Sequence, residues 1–306
     1  MNRIGKPVVV VGSVTMDMVT RARQIPRIGE TVIGTSFETT PGGKGANQAV
    51  AAARLGYPVK MVGMVGQDIY GQALLDNLAS VGVGTEAMER VAGPSGLAPI
   101  FLAESGENSI VVVPGANGKV DRASVDRHSA LIRSAGMVLC QLELPIETVS
   151  HVLALCADAG VPVILDPAPA APLPEETWRQ VAWFTPNETE AAFYLGNGSD
   201  PEDAAKQLLA KGLRGVVLKR GAEGAYVAVA DGKAAWVRPF QVEAVNTVGA
   251  GDCFNGAFAV ALLEGHDPFA AARFASAAAA ICVTRPGAQA SMPSRAEVDA
   301  FLAAHA

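Results

Sequence analysis

Residues 246–256 have the sequence Asn246-Thr247-Val248-Gly249-Ala250-Gly251-Asp252-Cys253-Phe254-Asn255-Gly256. Within them, a turn-forming run at residues 249–251 precedes a segment of helical character at residues 252–263. Glycine lets a backbone approach a ligand closely, and the first turn of a helix offers unpaired N–H groups at the positive end of its dipole. We therefore predict a phosphate pocket at this turn.

The charge of Asp252 indicates its role at this pocket. A carboxylate beside a phosphate repels it, so we expect Asp252 to accept the proton of an alcohol that attacks the phosphorus. An ordinary glycine turn followed by an aspartate N-cap would have the same sequence. The stretch alone leaves both interpretations open.

Length and composition allow one large α/β domain with a small appendage, and we expect a single domain over residues 1–306. Half of the 306 residues are hydrophobic and 32 are glycine, which permits a sizeable core. The net charge is −6, from 24 basic and 30 acidic residues. Without a basic cluster, nucleic acid and anionic membranes are not expected as partners.

Several sequence features favour a cytoplasmic location. Residues 1–7 lack the apolar core of a signal peptide, and the alanine-rich run at residues 274–283 is too short to span a bilayer. The cysteines have no CxxC spacing and are expected to be buried, reduced thiols of a cytosolic protein. They are Cys140, Cys156, Cys253 and Cys282.

Apolar runs of strand length alternate with helical segments along most of the chain. The valine-rich run at residues 7–12 is typical of a strand buried on both faces of a parallel sheet. From residue 58 onward strands and helices alternate, and residues 120–134 are expected to be helical. This alternation predicts a three-layer α/β fold, with a central, mostly parallel sheet flanked by helices on both faces.

Two separated segments, about residues 16–40 and 96–114, are rich in β-prone residues and interrupt this pattern. In the second segment, residues 104–108 have the composition of a hairpin loop. We expect the two segments to pair into one small β-sheet, which would form a lid over a ligand site.

A glycine-rich loop, Pro41-Gly42-Gly43-Lys44-Gly45-Ala46-Asn47-Gln48-Ala49, leads into a helix that ends at Gly56. Lys44 is followed by glycine, so the loop is not a Walker A motif. The chain has no GxGxxG at a strand-to-helix turn either. Lys44 and Asn47 could hydrogen-bond a neutral, hydroxyl-rich ligand, although a plain helix start would also explain the loop.

Polar residues collect where the predicted strands end, and the ends of parallel strands share one edge of a sheet. These residues are Asp17, Glu143, Asn187, Glu190 and Lys219. Glu190 is of the right type to hold Mg²⁺ largely through water. Together the residues indicate one site.

The motifs resemble those of the ribokinase-like carbohydrate kinase family over nearly the whole chain. Besides the two glycine motifs, the matching stretches are Gln141-Leu142-Glu143, Asp166-Pro167-Ala168-Pro169-Ala170, Thr185-Pro186-Asn187-Glu188-Thr189-Glu190 and Val283-Thr284-Arg285-Pro286-Gly287-Ala288-Gln289. The resemblance implies an ATP-dependent sugar kinase that acts on a primary hydroxyl. D-ribose is the first expected substrate and ribose 5-phosphate the expected product.

The resemblance also implies a role for each matching residue. Asp252 would be the base, and the amides of Gly249, Ala250 and Gly251 would form the anion hole. Sugar would contact Asp17, Gly42, Gly43, Lys44, Asn47, Glu143 and Asp252. ATP would face Asn187, Lys219, Gly221, Gly224, Gly251 and Ser276, with Mg²⁺ near Glu190. A monovalent cation, K⁺ first, would bind at Asn246, Val248, Cys282, Arg285, Gly287 and Ser291. The lid would pair two subunits into a homodimer.

Three residues depart from the family pattern. Thr15 replaces an asparagine beside the sugar, which leaves open a kinase of fructose, deoxyribose, another furanose or a nucleoside. Asn246 replaces an aspartate, which is expected to weaken or alter K⁺ dependence, and Ser276 replaces a histidine near adenine. A non-catalytic sugar- or nucleotide-binding regulator is the alternative from another class, although Asp252 and Glu190 argue against it.

Overall fold

Two sheets contain the strands of the computed structural model, which describes residues 5–196 and 200–305. In chain order the strands are β1 (Val8–Val11), β2 (Thr15–Ala22), β3 (Gly34–Gly42), β4 (Val59–Gly66), β5 (Val83–Val91), β6 (Gly96–Ala103), β7 (Asn108–Ile110), β8 (Met137–Cys140), β9 (Val163–Leu165), β10 (Trp183–Phe184), β11 (Gly215–Lys219), β12 (Ala225–Val229) and β13 (Ala234–Val237). Of the segment 1–7 discussed above, residues 1–4 lie outside the described part.

Helices connect most of these strands. In chain order they are α1 (Lys44–Arg54), α2 (Ile69–Ser80), α3 (Arg122–Arg127), α4 (Ser129–Ser134), α5 (Ile146–Ala159), α6 (Glu188–Leu195), α7 (Pro201–Ala210), α8 (Ala250–Leu263), α9 (Pro268–Val283) and α10 (Arg295–Ala304). Among the residues that the structure describes, no helix has the length and apolar character needed to cross a membrane.

The central sheet has nine strands in the order β13-β12-β11-β10-β9-β8-β1-β4-β5. All neighbours from β11 to β5 run parallel. Strands β12 and β13 join antiparallel at one edge. The predicted central, mostly parallel sheet is therefore confirmed.

Strand β1 shows how this sheet separates two hydrophobic cores. Val8 and Val10 pack in one core with side chains of α1, α2, α8, α9 and α10, whereas Val9 and Val11 pack in a second core with α3, α4, α5 and α7. Successive side chains of a strand point to opposite faces. The valine run therefore serves both faces, which gives the predicted three layers.

The second sheet has four strands in the order β3-β2-β6-β7 and joins the two separated β-rich segments, as predicted. Strands β2 and β6 pair in parallel, while β3 and β7 pair antiparallel on the outside. Strand β2 follows β1 after three residues, and β6 follows β5 after four. Phe37 and Phe101 lie opposite Thr20 on its two sides, and both are exposed.

Two helix boundaries differ from the sequence prediction. Residues 120–134 are helical as predicted from Arg122 onward, in two helices, α3 and α4. Asp121 caps α3 through a capping box with Ser124, and the non-helical backbone of His128 (φ −108°, ψ 12°) separates α3 from α4. Helix α8 begins at Ala250 instead of Asp252, because Gly249 adopts the left-handed φ of 79° and is the N-cap.

Helices α1 and α8 pack at very short range. A Cβ atom on Gly256 of α8 would lie 2.7 Å from the Gln48 carbonyl oxygen and 2.7 Å from the Ala51 Cβ of α1. Glycine is therefore required at position 256. The contact holds the glycine-rich loop before α1 close to the Gly249 turn before α8.

Candidate active site

A cleft of about 650 Å³ lies at the carboxyl ends of the parallel strands. The sequence-predicted residues that line it are Lys44, Asn187, Glu190, Lys219, Gly221, Gly224, Gly249, Ala250, Gly251, Asp252 and Ser276. Asn47 lies behind Asp252, to which it is hydrogen-bonded. Lys44 connects the cleft to the rest of the glycine-rich loop, which includes Gly42 and Gly43. This loop contacts Asp17 and Glu143. The structure thus brings both glycine motifs to one edge of the sheet.

Asp252 is only 6% exposed, and each of its carboxylate oxygens is held by an amide of α1. Asn47 Nδ2 donates to Oδ2 at 3.0 Å, and Gln48 Nε2 donates to Oδ1 at 3.1 Å. Burial raises the pKa of Asp252, while the charge of Lys44 and the two amide hydrogen bonds oppose that rise. The carboxylate is thus fixed in direction before any ligand binds.

A buried polar network extends from Asp252 through Gln48 and Asp166 to Lys219. Gln48 Nε2 also donates to Asp166 Oδ2 at 3.0 Å, and Lys219 Nζ donates to Asp166 Oδ1 at 3.0 Å. Gln141 Nε2 supports Gln48 by donating to its Oε1 at 2.7 Å. Sequence analysis assigned no role to Gln48, Gln141 or Asp166. The sequence does contain a signal for Asp166, since this residue directly follows an apolar strand, and the polar residues assigned to the site likewise lie where predicted strands end.

The start of α8 presents unpaired donors to the cleft. Ala250 N donates to Thr247 O at 3.3 Å and Cys253 N to Gly249 O at 2.8 Å. Within the described residues, the N–H groups of Gly251 and Asp252 have no protein acceptor. These groups, at the positive end of the helix dipole, suit a phosphoryl oxygen.

On the side of the cleft predicted to bind the sugar, Asp17 of β2 lies against Gly42 and receives a hydrogen bond from Thr15 Oγ1 at 2.9 Å. Burial raises the pKa of Asp17 to about 6, the Thr15 bond opposes this, and the charges of Glu143 and Asp252 add to it. Gly43 has a φ of 91°, and a Cβ there would lie 2.8 Å from Thr15 N. This loop therefore packs directly on the strand end that carries Asp17.

Lys44 and Glu143 bring opposite charges to the same loop. Glu143 Oε2 accepts the Lys44 N–H at 3.1 Å and also the hydroxyl of Ser13. Burial by itself lowers the pKa of Lys44, but the carboxylates of Asp252, Asp166 and Glu143 hold it above its ordinary value. Lys44 therefore stays cationic in the cleft.

On the side of the cleft predicted to bind ATP, Asn187 and Glu190 form the capping box of α6. Glu190 Oε2 accepts Asn187 N at 2.8 Å, and Oε1 accepts Asn187 Nδ2 at 2.9 Å. Burial raises the pKa of Glu190, partly offset by Lys219. Ser276 lies on α9 among apolar neighbours such as Phe240 and Val283, which suit the face of an aromatic base.

The donor set fits Mg²⁺ held through water. In the described part, no three His, Cys, Asp or Glu side chains cluster closely enough to enclose a metal ion. Each Glu190 oxygen keeps a lone pair beside its bond to Asn187 and can accept a hydrogen from metal-bound water. Glu190 is therefore suited to an outer-sphere role.

The predicted cation residues lie on two adjacent segments. Val245 N and Asn246 N both donate to Val283 O, at 2.7 and 3.1 Å. Their side chains are largely engaged with protein atoms. Asn246 Oδ1 accepts Val248 N at 2.8 Å, Cys282 Sγ lies 2.9 Å from Ser291 Oγ, and Arg285 pairs with Glu297. Gly287 has a positive φ of 83°. Backbone carbonyls are thus the ligands that this loop can offer.

Comparison with known proteins agrees with this arrangement. The profile of the pfkB family carbohydrate kinases matches residues 6–295. The chain is 49% identical to the ribokinase of Bacillus subtilis over 294 residues, which cover 96% of this chain and 98% of that one. It is 37% identical to the deoxyribokinase of Salmonella typhi, over 96% of this chain and 98% of the relative. The structure of Arabidopsis thaliana ribokinase complexed with ribose and ATP superimposes with a TM-score of 0.91 at 36% identity, covering 98% of this chain and 99% of that chain. The chain therefore belongs to the pfkB family of carbohydrate kinases.

Proposed function

We propose that this chain is an ATP-dependent sugar kinase that transfers the γ-phosphoryl group to the primary hydroxyl of D-ribose and forms ribose 5-phosphate. The observation that carries the proposal is the position of Asp252. Its carboxylate is hydrogen-bonded to Asn47 of the glycine-rich loop and belongs to the first turn of α8. One residue therefore connects the proposed sugar side with the proposed phosphate side.

In the proposed mechanism, Asp252 accepts the proton of the attacking hydroxyl. The N–H groups of Gly251 and Asp252, which have no acceptor among the described residues, receive the charge that develops on the phosphoryl oxygens. The amides of Gly249 and Ala250 complete the proposed anion hole, the Ala250 N–H by releasing its 3.3 Å bond to Thr247 O. Lys44 and Lys219 add positive charge on either side of the cleft. Mg²⁺, when bound near Glu190, supplies further charge compensation for the phosphates.

The sugar is proposed to lie against Asp17, Gly42, Gly43, Lys44, Asn47 and Glu143, and ATP against Asn187, Lys219, Gly221, Gly224, Gly251 and Ser276. Asp17 and Glu143 offer acceptors for sugar hydroxyls, while Lys44 and Asn47 offer donors. The Arabidopsis relative was crystallised with ribose and ATP, which supports both ligands. Deoxyribose is the alternative substrate, since a deoxyribokinase is among the relatives. Thr15 also leaves the sugar open, because its side chain is shorter than the asparagine expected beside the sugar.

A substrate series tests this function. ADP formation is measured with ribose, deoxyribose, fructose and nucleosides at equal concentrations, with Mg²⁺ and ATP. We expect the highest kcat/KM with ribose. A higher kcat/KM with another sugar would reassign the substrate. Thermal stabilisation by ribose without ADP release would instead indicate a non-catalytic binding protein.

We also propose a monovalent cation, K⁺ first, in the loop formed by Asn246, Val248, Cys282, Arg285, Gly287 and Ser291. The adjacency of these segments through Val283 O supports this proposal. Asn246 brings no negative charge, so the loop should hold the ion weakly. Asn246→Asp should lower the K⁺ concentration that gives half-maximal activity several-fold. Equal, K⁺-independent rates for both forms would argue against the site.

A homodimer through the small sheet is the proposed assembly, with the same sheet acting as a lid. Phe37 and Phe101 support it, because they are exposed on one face of the sheet, opposite to the face of Asp17. Apolar residues that protrude together on a sheet commonly mark an interface.

We also propose a cytoplasmic location. The four cysteines are buried, and Cys140, Cys253 and Cys282 are thiols, as is usual for proteins of a reducing compartment.

A further inference from the structure

Gln48 contacts two carboxylates with a single amide nitrogen. It is fully buried, and its Nε2 donates to Asp252 Oδ1 at 3.1 Å and to Asp166 Oδ2 at 3.0 Å. Its Oε1 accepts a hydrogen bond from Gln141 at 2.7 Å. A rotated amide would turn Oε1 toward both carboxylates, and like-signed oxygens would repel. The orientation of Gln48 is therefore determined by its surroundings.

Gln48 has no access to a ligand in the cleft, since it is 0% exposed and lies behind the carboxylates of Asp252 and Asp166 to which it is hydrogen-bonded. Any influence on the reaction must pass through the carboxylates that it binds. Asp166 is in turn paired with Lys219. Gln48 thus joins the base on one side of the cleft to a cation on the other.

We propose that Gln48 is a positioning residue for phosphoryl transfer, which keeps the Asp252 carboxylate ionised and aimed at the attacking hydroxyl. The inference rests on the proposed role of Asp252 as base. A hydrogen bond to the charged form of a buried carboxylate favours that form. Asn47 holds the other oxygen, so the two amides together leave the remaining lone pairs of Asp252 for the substrate.

The test replaces Gln48 with methionine, which has a similar volume and no donor. Losing a hydrogen bond to a charged group should lower kcat at neutral pH by roughly 10- to 100-fold. The acidic limb of the profile of kcat against pH should move to higher pH by about one unit. The loss of kcat relative to the native chain should therefore become smaller as pH rises. The KM values for sugar and ATP should stay within about two-fold of the native values, because Gln48 touches neither ligand.

Thr148→Val is the matched control. It removes another buried hydrogen bond, from Thr148 Oγ1 to Val120 O at 2.8 Å, remote from the cleft. It should lower the melting temperature without moving the pH profile. Asp252→Asn, measured in parallel, distinguishes the proposed role of Gln48 from the proposed role of Asp252 as base. If Asp252→Asn is inactive but Gln48→Met has a native pH profile, the role of Gln48 is refuted and the base remains. An active Asp252→Asn refutes the base itself.

Gln141→Leu keeps the proposal testable if Gln48→Met does not fold. Gln141 Oε1 has no partner in the described residues, so an apolar side chain of similar size should be tolerated. The variant removes only the bond that supports Gln48. It should move the acidic limb in the same direction by a smaller amount, and an unmoved limb with a folded protein would overturn the proposal.

Discussion

The first turn of α8 and the small sheet expose opposite kinds of side chain. Around the start of α8, the polar residues Asp252, Asn47 and Gln48 are at most 6% exposed, and Asp252 accepts a hydrogen bond from each of the other two. On the small sheet, the apolar Phe37 is 63% exposed. Buried polar groups keep one geometry because an unpaired group is costly. An exposed apolar face is instead available for another surface. Changes near α8 should therefore alter chemistry, and changes on the sheet should alter association.

The largest expected effect belongs to Asp252→Asn. General-base assistance is typically worth about 10²–10⁴-fold, so kcat should fall by that order while the affinity for ATP is kept. Steady-state ADP formation and nucleotide titration measure the two quantities. Because both Asp252 oxygens accept amide hydrogen bonds, the NH2 group that the substitution introduces faces one of those donors. The melting temperature is therefore measured alongside, to separate lost stability from lost catalysis. A near-normal kcat would show that another group accepts the proton.

Asn47→Ala comes next, because Asn47 joins the glycine-rich loop to Asp252. Gln289 Nε2 donates to Asn47 Oδ1 at 3.1 Å, and Asn47 Nδ2 donates to Asp252. Asn47 is also a proposed donor to the sugar, and losing a hydrogen bond of that kind costs about 1–3 kcal/mol, so the KM for sugar should rise roughly 10-fold or more, with a smaller change in the KM for ATP. Because Asn47 Nδ2 also holds Asp252, kcat should fall as well. Equal increases for both substrates would argue against Asn47 as a sugar ligand.

The raised pKa of Asp17 predicts a moderate effect of pH on sugar binding. Its pKa of about 6 lies well above the 3.8 of an unperturbed aspartate. As pH falls through 6, the carboxylate is protonated and loses acceptor capacity, so the KM for sugar should rise several-fold between pH 7 and pH 5.5. Measuring KM across this range tests it, and Asp17→Asn should abolish that dependence.

The same pKa has the opposite consequence for stability. Between pH 3.8 and 6 the folded chain binds more protons at Asp17 than the unfolded chain does, so this group stabilises the fold as pH falls through 6. Loss of sugar affinity in that window is therefore not unfolding caused by Asp17. A melting temperature that drops in parallel with affinity would contradict this assignment.

The smallest effect on turnover should come from the small sheet. Phe37→Ser combined with Phe101→Ser should convert dimer to monomer in light scattering, while kcat changes by less than about three-fold. Ile69→Ser, at an exposed apolar residue of α2, is the control and should leave the oligomeric state unchanged. A monomeric native chain would refute the dimer outright.

The sequence was sufficient for features that depend on local pattern. The valines of β1 predicted a buried parallel strand, and the glycine runs predicted tight turns before α1 and α8. The sequence was insufficient for features that depend on contacts between residues far apart in the chain. The bonds of Gln48 to Asp166 and Asp252 join residues more than a hundred positions apart. The division of residues 120–134 depended on the backbone of His128, which no propensity distinguishes.

The contact at Gly256 has a mechanical consequence. Because α1 and α8 touch almost backbone to backbone there, the loop carrying Lys44 and the turn carrying Gly249 belong to one rigid body. No hinge between these helices can bring the two reactants together. We expect enclosure of the reactants to come instead from rotation of the small sheet about its connections to the rest of the chain, at residues 12–14, Gly43, 92–95 and 111–114, while Asp252 and the N–H groups at the start of α8 stay still.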